Sequence, residues 1–363
     1  MKTSFELAGK PIGDGSPCFI TFELGATHNG VESAKRLVKH AAEAGADAVK
    51  VQIFDPERLV ADKNQLFSYG VLKNRDTDEI EVIQEPLYDI LLRRCLSEPE
   101  WAEVKSVCDE LGLAFFATVG FDEDIELLSR LQCDSIKIAS ADVNHFPLLR
   151  RAAKTGMCIQ LDTGMATLGE IEAAVSVIRA EKNEKIIIHQ CPSGYPARID
   201  SINLNIIRTL KKMFPYPIAF SDHTPGNEMD IAAIVLGANL VEKTITEDRM
   251  KRSVEHIMSI EIDEMKKFVE TVREIEKAMG SGYRVLHPEE EKKRLSVRRS
   301  AFLRQTAKAG EKLSECAIEF RRPGYGIPPD LFEEISNSRL KKDLPSEHMI
   351  KLSDLEIFSQ KTS

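Results

Sequence analysis

Ala48-Val-Lys-Val-Gln-Ile-Phe54 is the stretch on which the fold turns. Its apolar residues read as a strand buried on both faces, yet Lys50 and Gln52 sit inside it. A charge in a buried strand is costly unless it is paired or bound to a ligand. The pattern recurs along the chain. Glu23 closes Phe19-Ile-Thr-Phe-Glu23, and Thr118 closes Ala114-Phe-Phe-Ala-Thr118. Lys137 and Ser140 lie in Ser135-Ile-Lys-Ile-Ala-Ser140, and Ile218-Ala-Phe-Ser-Asp-His223 ends in Ser221, Asp222 and His223. Cys158-Ile-Gln-Leu-Asp162, Lys185-Ile-Ile-Ile-His189 and Asn239-Leu-Val-Glu-Lys243 complete a set of eight strand-like runs.

Helical patterns alternate with these runs, at 31–44, 97–111, 122–132, 145–156, 167–181, 203–213, 226–236 and 261–279. Thr167-Leu-Gly-Glu170 has capping-box spacing, Asp122 stands before Glu123-Asp-Ile as a cap, and Gly45 and Gly112 end two helices. Eight strand–helix pairs in this order predict an α/β fold, a (β/α)8 TIM barrel rather than an open sheet. The carboxyl ends of the strands carry the active sites of that fold. The polar residues gathered there, Lys50 and Lys137 with the hydroxyls of Thr118, Ser140 and Ser221, predict a positively charged cradle for an anion, most simply a phosphate. The competing reading of each lysine is a salt bridge inside the barrel; that of each hydroxyl is an ordinary strand-end hydrogen bond.

Two regions break the rhythm. Residues 55–96 form a long, mostly polar insertion containing Tyr69 and Asn74, and a loop of that length is functional or mobile. Residues 281–297 read as a charged, uncapped linker, with a small β-rich module at 298–363 after it and the barrel domain at 1–280 before it. The module is near the lower size limit for an independent core, so it is expected to dock on a barrel.

The 363 residues are 42% hydrophobic and 29% charged, with a formal charge of −9, which argues against nucleic acid as a partner. No run of about 18 apolar residues predicts a membrane span, and the first residues lack the apolar core of a signal peptide. Seven scattered cysteines without a CxxC pair read as reduced thiols of a cytoplasmic protein.

Seven segments in order resemble the sialic acid synthase family, the phosphoenolpyruvate-dependent synthases of nonulosonic acids. They are Glu23-Leu-Gly-Ala-Thr-His-Asn-Gly30, Ala44-Gly-Ala-Asp-Ala-Val-Lys-Val-Gln52, Thr163-Gly-Met-Ala-Thr-Leu168, Cys191-Pro-Ser-Gly-Tyr-Pro196, Ser221-Asp-His-Thr224, Gly237-Ala with Glu242-Lys243, and Arg322-Pro-Gly-Tyr-Gly-Ile327. The resemblance implies a TIM barrel followed by an antifreeze-like (SAF, β-clip) domain, in a domain-swapped homodimer. It implies a carbon–carbon bond-forming transferase of surface polysaccharide biosynthesis. This enzyme joins phosphoenolpyruvate to the aldehyde of an N-acyl hexose, N-acetylmannosamine-like or its 6-phosphate.

By that resemblance the phosphoenolpyruvate contacts are Lys50, Thr118, Lys137, Ser140, Ser193 and Ser221. The sugar contacts are Gln52, Tyr195, Asp142 and Glu255, plus Arg322 from the partner's small domain; Asp142 and Glu255 stand where the family usually has Glu and Asp. Glu23 is the candidate general acid or base, with a pKa expected to be raised by burial, and His223 is the second catalytic candidate. The family also holds a divalent metal, Mn or Mg, on two histidines. His223 matches one, but Thr244 in Glu242-Lys-Thr-Ile-Thr246 occupies the other position, so the metal is in doubt.

Three explanations compete: a substitute ligand such as His256, Glu23 or water; catalysis without metal, His223 or a lysine donating to the aldehyde oxygen; or a paralogue with altered or lost activity. His189 sits one place before Gln190, which takes a family histidine position, and is expected to face the wrong way to compensate. His28 is expected to shape the barrel top. The alternatives to a synthase are a Schiff-base aldolase using Lys137 or Lys243, and a non-catalytic sugar-binding protein.

Overall fold

All eight predicted strands form, and each pairs in parallel with its neighbours in sequence. They are β1 (Phe19–Glu23), β2 (Ala48–Gln52), β3 (Ala114–Val119), β4 (Ser135–Ile138), β5 (Cys158–Asp162), β6 (Ile186–Gln190), β7 (Ile218–Asp222) and β8 (Leu240–Thr246). Pairing of β8 with both β7 and β1 closes the barrel. This computed structural model describes residues 4–77 and 79–356; the end of the predicted module, 357–363, lies outside them.

The barrel helices are α1 (Val31–Ala44), α2 (Glu98–Glu110), α3 (Asp122–Arg130), α4 (Phe146–Ala153), α5 (Leu168–Ala180), α6 (Ile206–Met213), α7 (Glu228–Val235) and α8 (Ile262–Met279). Thr167 Oγ1 accepts from Glu170 N at the start of α5, as its spacing predicts, and Gly45 ends α1 with φ 89°. The cap of α3 differs from the expectation. Asp122 is already inside the helix, and Asp124 Oδ2 reaches back to Gly120 N and Phe121 N, each at 2.9 Å.

Alternation along the strands sorts the side chains into layers. Outward residues such as Val49, Val51, Ile136 and Ile138 pack beneath the helices in the main core. Inside the barrel, Phe19, Ala48, Phe116, Ile187 and Leu240 form an apolar base, closed by Leu7 and Ile12 of an N-terminal hairpin. Full burial of each large apolar side chain contributes about 1.5–3 kcal/mol. Above that base the inward positions turn polar: Lys50, Lys137, Gln160, His189, Ser221 and Glu242.

The insertion after β2 is ordered. Its centre is an antiparallel hairpin, Leu66–Asn74 with Glu79–Pro86, flanked by helices Pro56–Leu59 and Leu87–Leu92. Asn74 Oδ1 accepts from Asp76 N and Thr77 N at 2.8 and 3.2 Å, the side-chain turn that a hairpin tip favours. Tyr69 is buried, with its hydroxyl on Glu85.

Residues 1–280 and 281–363 are separate compact units. The stretch read as an uncapped linker contains a helix, Pro288–Val297, whose first turn is capped by His287 Nδ1 accepting from Glu289 N at 3.3 Å. The second unit has its own small core, with Ala301, Leu303, Leu313, Ile327 and Ile350 inside, and short antiparallel pairs such as Ser300–Leu303 with Ile318–Arg321. All seven cysteines are free thiols. Among the described residues no helix is long and apolar enough to cross a membrane.

Candidate active site

The polar layer of the barrel is a closed ion network. Lys50 Nζ lies 2.6 Å from Glu23 Oε2 and 2.7 Å from Glu242 Oε1. Lys137 Nζ lies 2.7 Å from Glu242 Oε2 and 2.9 Å from Asp162 Oδ1. One carboxylate, Glu242, thus bridges both ammonium groups. Burial alone would raise the Glu242 carboxyl; Lys137 and Lys50 outweigh it and hold the group well below its usual range.

Two corrections follow. The expected net-positive cradle is instead a charge-compensated cluster, because ammonium groups this deep need counterions inside the protein. In addition, Lys137 does not reach the open site. It is fully buried, and its remaining neighbours, Ser221 Oγ and His189 Nδ1, both lie at 3.2 Å, which uses up its three protons. Burial would lower its pKa, but Asp162 and Glu242 raise it, so it stays an ammonium.

His189 also departs from the expectation. It faces into the barrel, and Gln190 faces outward, donating to Ile202 O at 2.8 Å. Gln160 Nε2 donates to Ser135, which turns its Oε1 to His189 Nε2 at 3.0 Å. His189 therefore carries its hydrogen on Nε2. Burial first, then Lys137, hold its pKa far down, so the ring is a neutral support for Lys137 and Ser221.

Above this layer opens a cavity of about 390 Å³ at the carboxyl ends of the strands, a size that suits a small-molecule ligand. Glu23, Lys50, Thr118, Ser140 and His223 line it together with the sugar-contact candidates Gln52, Asp142, Tyr195 and Glu255. Burial raises the Asp142 carboxyl, and burial followed by Glu255 raises the Tyr195 hydroxyl. Two glycines mark close approaches. A Cβ on Gly25 would sit 2.3 Å from Gln52 N, so only glycine lets β1 turn against β2 while its N–H donates to Glu23 Oε1 at 2.5 Å. A Cβ on Gly164 would sit 2.8 Å from Ser140 Oγ and 3.2 Å from Ser193 Oγ, which puts both hydroxyls beside Gly164; Ser140 lines the cavity, whereas Ser193 is exposed and does not. Ser221 lies in the layer below, donating to Asp162 Oδ1 at 3.1 Å. Arg322 belongs to the second unit.

The donors present do not make a two-histidine divalent site. His223 Nδ1 donates to Pro192 O at 2.9 Å, which leaves Nε2 as the ring nitrogen free to act in the cavity. Thr244 lines the cavity where the second histidine would stand, and its hydroxyl is a poor ligand for a transition metal. Of the expected substitutes, His256 lines another pocket with its Nδ1 on Thr246 Oγ1 at 2.7 Å, and Glu23 is engaged by Lys50 and Gly25. Among the described residues, three clustered metal-type ligands occur only at Glu261, Asp263 and Glu264, outside the cavity.

Lys243, named as a Schiff-base candidate, points outward from β8. It is fully buried against Asp222, Asp230 and Thr224 O, and the two aspartates outweigh burial and raise its pKa.

Sequence reasoning missed three cavity groups. Asp162 and Glu242 had the same signal as the lysines, a charge inside a buried strand. Arg94 had none: it follows Arg93 in a polar insertion, yet it is 5% exposed and lines the cavity. The insertion also supplies an apolar wall, including Phe67, Leu87, Ile90 and Leu91.

Comparison with known proteins gives the site a context. The NeuB family matches residues 37–284. An N,N'-diacetyllegionaminic acid synthase of Legionella pneumophila is 33% identical over 92% of this chain and 94% of its own length. A pseudaminic acid synthase of Campylobacter jejuni is 32% identical over 93% of this chain and 96% of its own. The crystal structure of an N-acetylneuraminic acid synthetase from Leptospira borgpetersenii, in complex with citrate, superposes with a TM-score of 0.70 at 28% identity, covering 81% of this chain and 95% of that one. Three different products at similar identity mean that overall likeness does not select the substrate.

Proposed function

The chain belongs to the NeuB family, whose sialic acid synthase-like members it resembles over most of its length, and on that premise we propose that it condenses phosphoenolpyruvate with the aldehyde of an N-acyl hexose to give a nonulosonic acid and phosphate. The observation that carries the reading is the position of Glu242, one carboxylate held between the Lys50 and Lys137 ammonium groups at the floor of the cavity. Glu242 offsets the charge of both lysines, so the floor holds Lys50 in place as a donor instead of supplying net positive charge. Above it Lys50 has one N–H to spare, and Thr118 and Ser140 supply hydroxyl donors for the oxygens of an enol phosphate and its carboxylate, with Ser193 beside Ser140 across Gly164.

In this reading carbon 3 of the enol ester forms a bond to the aldehyde carbon, and the aldehyde oxygen takes up a proton. Water then adds at carbon 2 and loses a proton. Phosphate leaves with cleavage of its C–O bond and takes up the proton of the carbon 2 hydroxyl, and carbon 2 becomes the ketone. His223 Nε2 and the Glu23 carboxylate line the cavity as the groups that move these protons. Gln52, Asp142, Tyr195 and Glu255 orient the sugar. By the same resemblance the second unit is an antifreeze-like SAF domain, and Arg322 is the contact one protomer lends its partner in a domain-swapped homodimer.

The aldolase reading is weaker, because neither Lys137 nor Lys243 lines the cavity and both are held as ammonium ions. The deciding measurement is phosphate release from phosphoenolpyruvate with a panel of N-acyl hexoses, with and without EDTA and manganese. Acceptor-dependent release supports the synthase. No release with any acceptor under any metal condition overturns it, and a borohydride-trapped lysine adduct would point to the aldolase.

A further inference from the structure

Segments 90–94 and 253–256 face two spaces. Ile90, Leu91 and Glu255 line the barrel cavity, whereas Arg93, Ser253 and His256 line a second pocket of about 240 Å³. Arg94 lines both. Arg93, Lys251 and Arg252 add to its charge, and among the described residues no carboxylate lines the second pocket. Arg93 and Lys251 keep partners at its edge, Glu85 and Glu247.

Arg94 has no ion pair of this kind on the second-pocket side; the carboxylate that acts on its charge is Glu255, on the barrel-cavity side. Its Nη2 donates to Ser253 Oγ at 2.8 Å, and its Nε has no hydrogen-bond partner among the described residues. His28 is 5% exposed; its ring approaches the backbone of Arg94 but makes no well-aligned hydrogen bond among the described residues. Burial first, and then the charge of Arg94, hold its pKa down to about 4, so the ring is neutral and offers one N–H. Buried polar groups without partners are rare in folded proteins, and a group of them beside cations lacks an anion.

We propose that this second pocket binds a phosphate group, through the Arg94 guanidinium with Lys251, Arg252, Ser253 and the His28 ring. Arginine suits that ligand because its planar fork matches two phosphate oxygens. The group arrives as the phosphoryl end of a phosphorylated sugar acceptor or as free inorganic phosphate, and the first of these rests on the condensation reading above.

The test is calorimetric titration of the full chain with inorganic phosphate, with N-acetylmannosamine 6-phosphate and with unphosphorylated N-acetylmannosamine, phosphoenolpyruvate being omitted. The same titrations are run on the Lys251→Gln, Arg252→Gln double variant, whose changes lie outside the barrel cavity. If the sugar phosphate binds at least ten-fold tighter than the parent sugar and the variant loses that advantage, the pocket takes the acceptor's phosphate. If the two sugars bind alike but inorganic phosphate weakens ten-fold in the variant, it takes free phosphate. Unchanged affinities for both phosphates overturn the proposal. Should the double variant melt well below wild type, Arg252→Gln alone, an exposed position, is read by the same criteria. Failure of the condensation reading shows separately, as absent phosphate release from phosphoenolpyruvate, and leaves the titrations intact.

Discussion

Two groups of buried cations lie in one barrel and are treated differently. Lys50 and Lys137 are enclosed with their counterions, Glu23, Glu242 and Asp162. Arg94 is nearly as buried, donates to a serine, and has only the more distant charge of Glu255 to set against its own. The first arrangement balances its own charges without a ligand, Lys50 alone keeping one N–H toward the cavity. The second is incomplete, and a buried charge that lacks its partner is what a binding site looks like before it is filled.

The largest test of this contrast is Glu242→Gln. It leaves two ammonium groups with one bridging carboxylate fewer, and stability is expected to fall by about 3–5 kcal/mol in urea denaturation. A loss under about 1 kcal/mol would break the contrast, because the bridge would then not be holding the lysines. Next comes His28. Its pKa is about 4 folded against 6.5 for the ordinary group, so between these values the unfolded chain binds a proton that the folded chain does not. Stability therefore falls as pH drops from 6.5 toward 4, with a share for His28 of at most about 1.4 kcal/mol per pH unit. Arg93, Arg94 and Lys251 line the same pocket, and Trp101 packs edge-on at 5.6 Å, so nothing acidic offsets the effect. His28→Gln should flatten the stability–pH curve in that window, measured by denaturation at several pH values; an unchanged slope would mean the ring is not kept neutral.

Thr244→His supplies the second imidazole of a metal pair. Manganese affinity should rise about ten-fold or more, equal to about 1.4 kcal/mol, by titration. If wild type already binds manganese as tightly, the donor set has been misread. The smallest expected effect is that of Arg94→Met. Removing a cation that no carboxylate holds should cost no more than about 1 kcal/mol, whereas Lys137→Met strands Asp162 and Glu242 and should cost several times that. Equal losses would erase the distinction between the two groups.

Much of the site was legible because buried strands leave little choice. A charge between apolar neighbours, as at Lys50, has to be paired or functional, and alternation told which side of the strand it would take. The rule that adjacent residues face opposite sides also held at His189 and Gln190, but it did not say which of them faced in; that depended on the register of β6 against β5, Asp162 opposite His189. The hairpin in the insertion was hidden because its residues alternate weakly and pack on loops far away in sequence.

The order of strands and helices, and with it the closed barrel and the end that holds the site, was determined by the sequence, since local periodicity and burial act through near neighbours. Whether the lysines stand open or compensated, and whether Arg94 has a partner, was decided by tertiary structure alone. Coulomb energy depends on distances between groups such as Lys50 and Glu242, 192 positions apart, and those distances exist only once the barrel has closed.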